Sequence, residues 1–79
     1  MRQIETEHRQ VMEYDHNGQL IHVVTGYDIR TDGWPFHVYA GPRRDQLRKV
    51  GGVGEASSMN EAFDLGYQAG RLFLDSVSP

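Results

Sequence analysis

The fold is decided by residues 10–25, which read QVMEYDHNGQLIHVVT. Asn17 and Gly18 stand at the middle of this stretch, and both tolerate the positive φ angles of a type I′ hairpin turn. With these two residues as the loop, the register extends outward on both sides. The facing pairs are then His16–Gln19, Tyr14–Ile21, Met12–Val23, Gln10–Thr25, His8–Tyr27 and Thr6–Ile29. The stretch therefore predicts a β-hairpin whose apolar side chains lie largely on one face.

A second turn of the same kind is predicted at Asp32-Gly33. Its two-residue loop gives the pairs Ile29–Phe36, Tyr27–Val38 and Thr25–Ala40. The two turns together place one apolar set on a common face: Ile21, Val23, Tyr27, Ile29, Phe36 and Val38. Because a slip of one residue would move a strand's side chains to the other face, this agreement predicts a three-stranded antiparallel meander. We expect four side chains to be buried beneath a helix: Met12, Val23, Ile29 and Phe36.

The opposite face of the meander is predicted to be mainly polar. The same registers give the neighbours Glu5–Arg30, Glu13–His22 and Val11–Val24, and the rows Glu7–Asp28–His37 and Arg9–Gly26–Tyr39. In the first row a carboxylate can orient an imidazole, as in acid–base catalysis. The register places no nucleophile beside it, and acid–histidine pairs also stabilise ordinary sheets. No spacing is typical of a zinc site. We therefore expect a protein that is not an enzyme and uses no metal or cofactor.

A C-terminal helix is predicted to begin within two residues of Ser58. Ser58 and Glu61 have the spacing of a capping box. Apolar residues and glycines then recur at steps of three and four residues and form one stripe of the helix: Met59, Phe63, Gly66, Gly70, Phe73 and Val77, with Ala62 and Leu74 beside them. Each interior glycine costs about 1 kcal/mol relative to alanine, so Gly66 and Gly70 predict close approach of helix to sheet. The fold class is α+β, with order β-β-β-α and the helix packed on one sheet face.

The composition limits the classes of function. The 79 residues carry a net charge of −3 and contain no cysteine, so disulfides and thiolate metal sites are excluded. No apolar run is long enough to span a bilayer, and the polar residues 1–7 lack the apolar core of a signal peptide. We therefore expect a single cytoplasmic domain over residues 1–79 without membrane contact.

Residues 42–54 combine basic side chains with glycines. The candidate anion-binding residues are Arg43, Arg44, Arg48, Lys49, Gly51, Gly52 and Gly54. Arginine recognises phosphate through its planar fork, and glycine-rich backbone can direct several amides at one oxyanion. The pattern lacks the Gly-Lys-Ser/Thr of a P-loop, and a solvated loop is the other interpretation. Whether residues 47–53 form a short fourth strand or a helical turn stays open.

Leu65 and Leu72 lie outside the predicted buried stripe of the helix. At roughly 100° per residue they share the far side of the helix, one heptad apart. Exposed leucines are common, but two in line on a small domain predict a contact between copies of the chain.

The turn Asp32-Gly33-Trp34-Pro35-Phe36 and the segment Gly-Glu-Ala-Ser-Ser at 54–58 resemble small bacterial proteins of unknown function. The resemblance covers residues 26–75 at most and contains no motif of known activity, so it implies no site. The sequence as a whole favours a small non-catalytic binding or interaction module that contacts a protein partner or itself. The alternative is a weak binder of anions or nucleic acid through residues 42–54, and an enzyme that uses His37 and Asp28 is the third interpretation.

Overall fold

A computed structural model describes residues 2–5 and 9–77, and it contains six strands and one helix. The strands are β1 Arg2–Glu5, β2 Gln10–His16, β3 Gln19–Thr25, β4 Trp34–Gly41, β5 Arg48–Lys49 and β6 Gly54–Ala56, followed by the helix α1 Met59–Val77. A 3-10 turn at Arg44–Gln46 joins β4 to β5. The predicted α+β class, with a C-terminal helix on an antiparallel sheet, is confirmed.

The strands form one antiparallel sheet in the order β1-β2-β3-β4-β5, and β6 also pairs with β4. The predicted meander corresponds to β2, β3 and β4. Beyond it, β5 and β6 lie end to end along the outer edge of β4, where Ala40 faces Arg48 and Phe36 faces Gly54. The segment whose structure the sequence left open thus contains a two-residue strand, preceded by a 3-10 turn.

The first hairpin has the predicted register, from His16–Gln19 to Gln10–Thr25. Asn17 and Gly18 have φ angles of 53° and 80°, as the turn type requires. The strand does not continue upstream of Gln10, because Glu5 folds back to pair with Gln10. The predicted Glu5–Arg30 pair is therefore wrong, and the pairs that involve Thr6 and His8 lie outside the described residues.

The second hairpin has a different register from the predicted one. Asp28 and Gly33 bracket a four-residue loop, with the Asp28 amide 2.9 Å from the Gly33 oxygen and the Gly33 amide 3.3 Å from the Asp28 oxygen. Thr25 consequently faces Phe36, and Val23 faces Val38. The predicted pairs Ile29–Phe36, Tyr27–Val38 and Thr25–Ala40 are wrong. Each residue of β3 faces a residue of β4 that lies four positions earlier in the chain than predicted. Because this shift is even, the side chains stay on their predicted faces of the sheet.

The longer loop also changes the predicted core. Ile29 lies in the loop and is 81% exposed, and Tyr27 is exposed as well, so both predictions of burial are wrong. Tyr27 instead contacts Trp34, with ring centroids 5.6 Å apart, and donates a hydrogen bond to Asp32. The buried core consists of Ile21, Val23, Phe36, Val38, Ala40, Ala56, Ala62, Phe63 and Leu74.

Helix α1 begins at Met59, as predicted, and covers β3 and β4. Its cap differs from the predicted box by one residue: the Glu61 amide donates to the Ser58 hydroxyl, but the Glu61 carboxylate accepts from the Ser57 amide at 2.8 Å. Val77, predicted to face the sheet, is exposed at the last turn. Among the described residues, no helix combines the length and apolar character needed to cross a membrane.

Gly66 and Gly70 face the sheet, as predicted. A Cβ atom on Gly66 would come within 3.0 Å of the Val23 side chain, and one on Gly70 would do the same to Ile21. Val23 and Ile21 are fully buried and cannot move aside easily. The two glycines therefore set the short distance between helix and sheet.

Candidate functional site

The candidate site is the sheet face opposite α1, over which the Arg44 side chain reaches from the 3-10 turn. Because side chains alternate along a strand, the residues between the core positions point to this face. We call it the open face, and its members are Val11, Glu13, Asp15, Leu20, His22, Val24, Pro35, His37, Tyr39, Lys49 and Glu55. The predicted neighbours Glu13–His22 and Val11–Val24 are confirmed.

The two predicted rows on this face are wrong. Because the second hairpin has a longer loop, Tyr39 faces His22 rather than Gly26, and His37 faces Val24 rather than Asp28. Glu7, the third member of the row with Asp28 and His37, lies outside the described residues. The neighbours across β3 and β4 on the open face therefore differ from the predicted rows.

Glu13 is the centre of the open face and is only 9% exposed. The Arg44 Nε atom donates to Glu13 Oε2 at 2.8 Å, and a terminal guanidinium nitrogen donates to Oε1 at 2.9 Å. His22 Nε2 lies 2.8 Å from Oε2. These hydrogen bonds, from Arg44 first and then from His22, lower the pKa of Glu13 from 4.5 to about 2 despite its burial. Carboxylate and guanidinium thus neutralise each other at the middle of the face.

Arg44 reaches Glu13 because the chain turns sharply after β4. Arg44 begins the 3-10 turn, and the main chain of Gln46 in that turn lies directly against Gly41 at the end of β4. A Cβ atom on Gly41 would overlap the Gln46 carbonyl, so any larger residue would push the turn away. Gly41 therefore positions the guanidinium over the sheet. In the sequence, the signal of the contact between Arg44 and Glu13 is the position of Gly41 between a strand and a basic segment. This contact was not predicted.

The structure does not bring the predicted anion-binding residues to one point. Arg44 is bound to Glu13, and Arg43 lies 3.5 Å from Asp45. Arg48 and Lys49 are neighbours in β5, so they point to opposite faces of the sheet. Three glycines complete the predicted set: Gly51 and Gly52 in an exposed turn, and Gly54 in β6 against the Phe36 ring. Anion binding by this segment stays a prediction.

A cleft of about 320 Å³ lies at the loop end of the open face. Its walls include Arg9, Val24, Asp28, Pro35 and His37, so Asp28 and His37 share a cavity although they are not neighbours in the register. The Arg30 amide donates to Asp28 at 2.9 Å and lowers the pKa of that carboxyl. His37 Nδ1 is buried and has no hydrogen-bond partner among the described residues.

The two hydroxyl-bearing residues that line this cleft, Thr25 and Tyr27, both use their hydroxyls in hydrogen bonds. Thr25 lines the cleft, but its hydroxyl donates to the Pro35 carbonyl at 2.9 Å. Within residues 9–77, no three histidine, aspartate or glutamate side chains come together in a way that could hold a metal ion. The cleft is therefore lined by both charged and apolar side chains.

A larger cleft, about 540 Å³, opens on the helix side of the sheet. It lies between the last turns of α1 and the segment after β4, and its walls include Leu47, Arg48, Phe73, Leu74 and Val77. The cleft borders the core, so its apolar walls continue the packing of helix against sheet.

Leu65 and Leu72 lie on the side of α1 that faces away from the sheet. They are 41% and 62% exposed, as their positions on the helix predicted. Self-association through them stays a prediction.

Comparisons with models of protein families, with curated proteins and with solved structures give no significant match. The resemblance to small bacterial proteins therefore also stays a prediction.

Proposed function

We propose that this protein is a small non-catalytic binding module that contacts a protein partner through the open face. The observation that carries the proposal is the neutralised Glu13. Covering an unpaired charge is strongly unfavourable, and an acid at the centre of a surface normally opposes association. Glu13 already has hydrogen bonds from Arg44 and His22, so a partner can cover it without providing a counter-charge.

The rest of the open face supports the same proposal. Val11, Leu20 and Val24 are half-buried apolar side chains around Glu13, and Tyr39 adds an aromatic ring next to His22. Interfaces combine an apolar and aromatic centre with a charged rim, and tyrosine is enriched among residues that dominate binding. The exposed side chains of Asp15 and Lys49 lie at the rim here.

The proposal predicts that one substitution on the open face abolishes partner capture. We expect wild-type protein, immobilised in a lysate, to retain a partner that Val24→Asp loses, because an unpaired carboxylate would then be buried in the interface. Val53→Asp is the matched control, since Val53 is an exposed valine away from this face. Both variants should keep a cooperative thermal transition. Equal capture by wild type and Val24→Asp, or no specific capture by wild type, would contradict the proposal.

Anion or nucleic-acid binding through residues 42–54 is the second candidate. It is favoured by Lys49, which is exposed and faces Tyr39, so a cation and an aromatic ring stand side by side. Such pairs bind the backbone and bases of single-stranded nucleic acid.

This second candidate predicts a strongly salt-dependent response. Titration with a short single-stranded oligonucleotide at low salt should shift amide resonances from Arg43 to Gly54 before others. The response should be lost in Arg48→Ser/Lys49→Ser but kept in Arg30→Ser/Arg71→Ser, which has the same change in charge. If the wild-type amides stay unshifted at low salt, only the protein-binding proposal remains.

A further inference from the structure

We propose that two copies of this chain form a symmetric dimer through the outer face of α1, with the two helices antiparallel. This surface lies on the other side of the molecule from the open face, so the inference goes beyond the proposed function and does not depend on it. The dimer would leave both open faces free for a partner. The geometry of four residues carries the inference.

The apolar part of the contact is formed by Leu65 and Leu72. They are exposed on a 19-residue helix, and no described element covers them. A separation of seven residues places them about 20° apart around the helix axis, so they form one line. Seven residues is the heptad repeat of helices that pack against each other, and the two leucines occupy one of the two apolar positions in each heptad.

The polar part of the contact repeats with the same spacing and with opposite charge. Asp64 directly precedes Leu65, and Arg71 directly precedes Leu72. Both charged side chains are exposed, and neither makes a hydrogen bond or ion pair with another described residue. About 100° around the helix from the leucine line, the outer side therefore carries one acid and one base, seven residues apart. Two further exposed acids, Glu61 and Asp75, lie between these two lines, and each has a partner in its own chain: Glu61 accepts from the Ser57 amide, and Asp75 lies 2.9 Å from His16.

This pattern is complementary to itself only when the two helices are antiparallel. A twofold axis beside Gln68 brings Leu65 opposite Leu72 of the second copy and Asp64 beside Arg71 of the second copy. Symmetry repeats both contacts, as in any isologous interface. Charged residues next to an apolar seam determine which helices pair and in which orientation. A second copy of this chain thus provides an apolar partner for the leucine line and opposite charges for Asp64 and Arg71.

Charge reversal tests the orientation and the occupant together. In sedimentation equilibrium at low salt and high protein concentration, we expect wild type to have twice the monomer mass. Asp64→Arg alone and Arg71→Asp alone should each weaken the dimer about tenfold or more, because each creates two like-charge contacts. An equimolar mixture of the two variants should regain the dimer mass, since every charged contact is then between opposite signs. Arg48→Asp, which changes an exposed charge outside the helix, should dimerise like wild type.

Each remaining outcome contradicts the proposal. A monomeric wild type would show that this face does not bind a second copy. Dimerisation that both single reversals leave unchanged would place the contact on another surface. A mixture that stays monomeric, while each variant melts cooperatively, would refute the antiparallel pairing. The capture of a partner by the open face is measured separately and is unaffected by these results.

Discussion

The hydrogen bonds to the Glu13 carboxylate make this acid a source of stability at neutral pH. A pKa lowered from 4.5 to about 2 means that the folded protein binds the proton more weakly than the unfolded chain. The corresponding stabilisation is present above pH 4.5 and is lost as the pH falls toward 2. Because the Arg44 side chain is 57% exposed, solvent screening reduces the contribution to about 1–2 kcal/mol.

Replacement of Glu13 by glutamine tests this contribution. At pH 7 we expect Glu13→Gln to lower the free energy of unfolding by about 1–2 kcal/mol, because the amide removes the charge that Arg44 neutralises. The difference from wild type should shrink between pH 4.5 and 2, as measured by urea unfolding at several pH values. Glu55→Gln is the control, since the Glu55 side chain is exposed and makes no hydrogen bond to a described residue. A pH-independent difference would contradict the assignment.

The contacts of Glu13 also show which single-residue contacts can be predicted from sequence. The pair with His22 follows from the hairpin register, because only nine positions separate the two residues. The contact with Arg44 spans 31 positions and depends on how the chain turns after Gly41. Strand periodicity contains no information on such a turn. The basic segment 42–54 was therefore recognised from the sequence, but Glu13 was not predicted as the partner of Arg44.

The registers of the strands can likewise be predicted only as well as the turns that join them. Asn17-Gly18 fixed a register that is confirmed, because both residues adopt positive φ. At the second turn only Asp32 has a positive φ, of 51°, whereas Gly33 pairs with Asp28. Asp28 also accepts a hydrogen bond from the Arg30 amide two residues on, the mark of an Asx turn that opens a longer loop. The Asp28 signal is therefore present in the sequence. The Asp32-Gly33 pair is also typical of a two-residue turn, and that turn was predicted instead.

The close contact between helix and sheet predicts whether Gly66→Ala raises or lowers the free energy of unfolding. In an exposed helix, Gly66→Ala would stabilise by about 1 kcal/mol. Here the added Cβ meets Val23, so we expect overpacking to dominate and the free energy of unfolding to fall by about 1–2 kcal/mol. Gly52→Ala is the control, because no atom lies within 4 Å of the added Cβ. If Gly66→Ala unfolds at higher denaturant concentration than wild type, the close approach is wrong.

At the scale of the whole molecule, the two proposed surfaces lie on opposite sides of a two-layer fold. The helix covers one sheet face and presents Leu65 and Leu72 outward, whereas the open face lies behind the sheet. The two proposals are therefore compatible, because a dimer through the helix would leave both open faces uncovered. The net charge of −3 belongs to the whole molecule and does not distinguish the two surfaces, so each proposal depends on the local arrangement of side chains.

Photo-crosslinking from single positions tests the central claim that the open face binds a partner. A photoreactive phenylalanine at Tyr39 should give a covalent adduct with another protein in cells. The same group at Leu65 should give an adduct of twice the chain's mass, and at Val53, an exposed residue on neither surface, it should give no specific adduct. If the group at Tyr39 captures nothing that the group at Val53 does not also capture, the open face is not a binding surface.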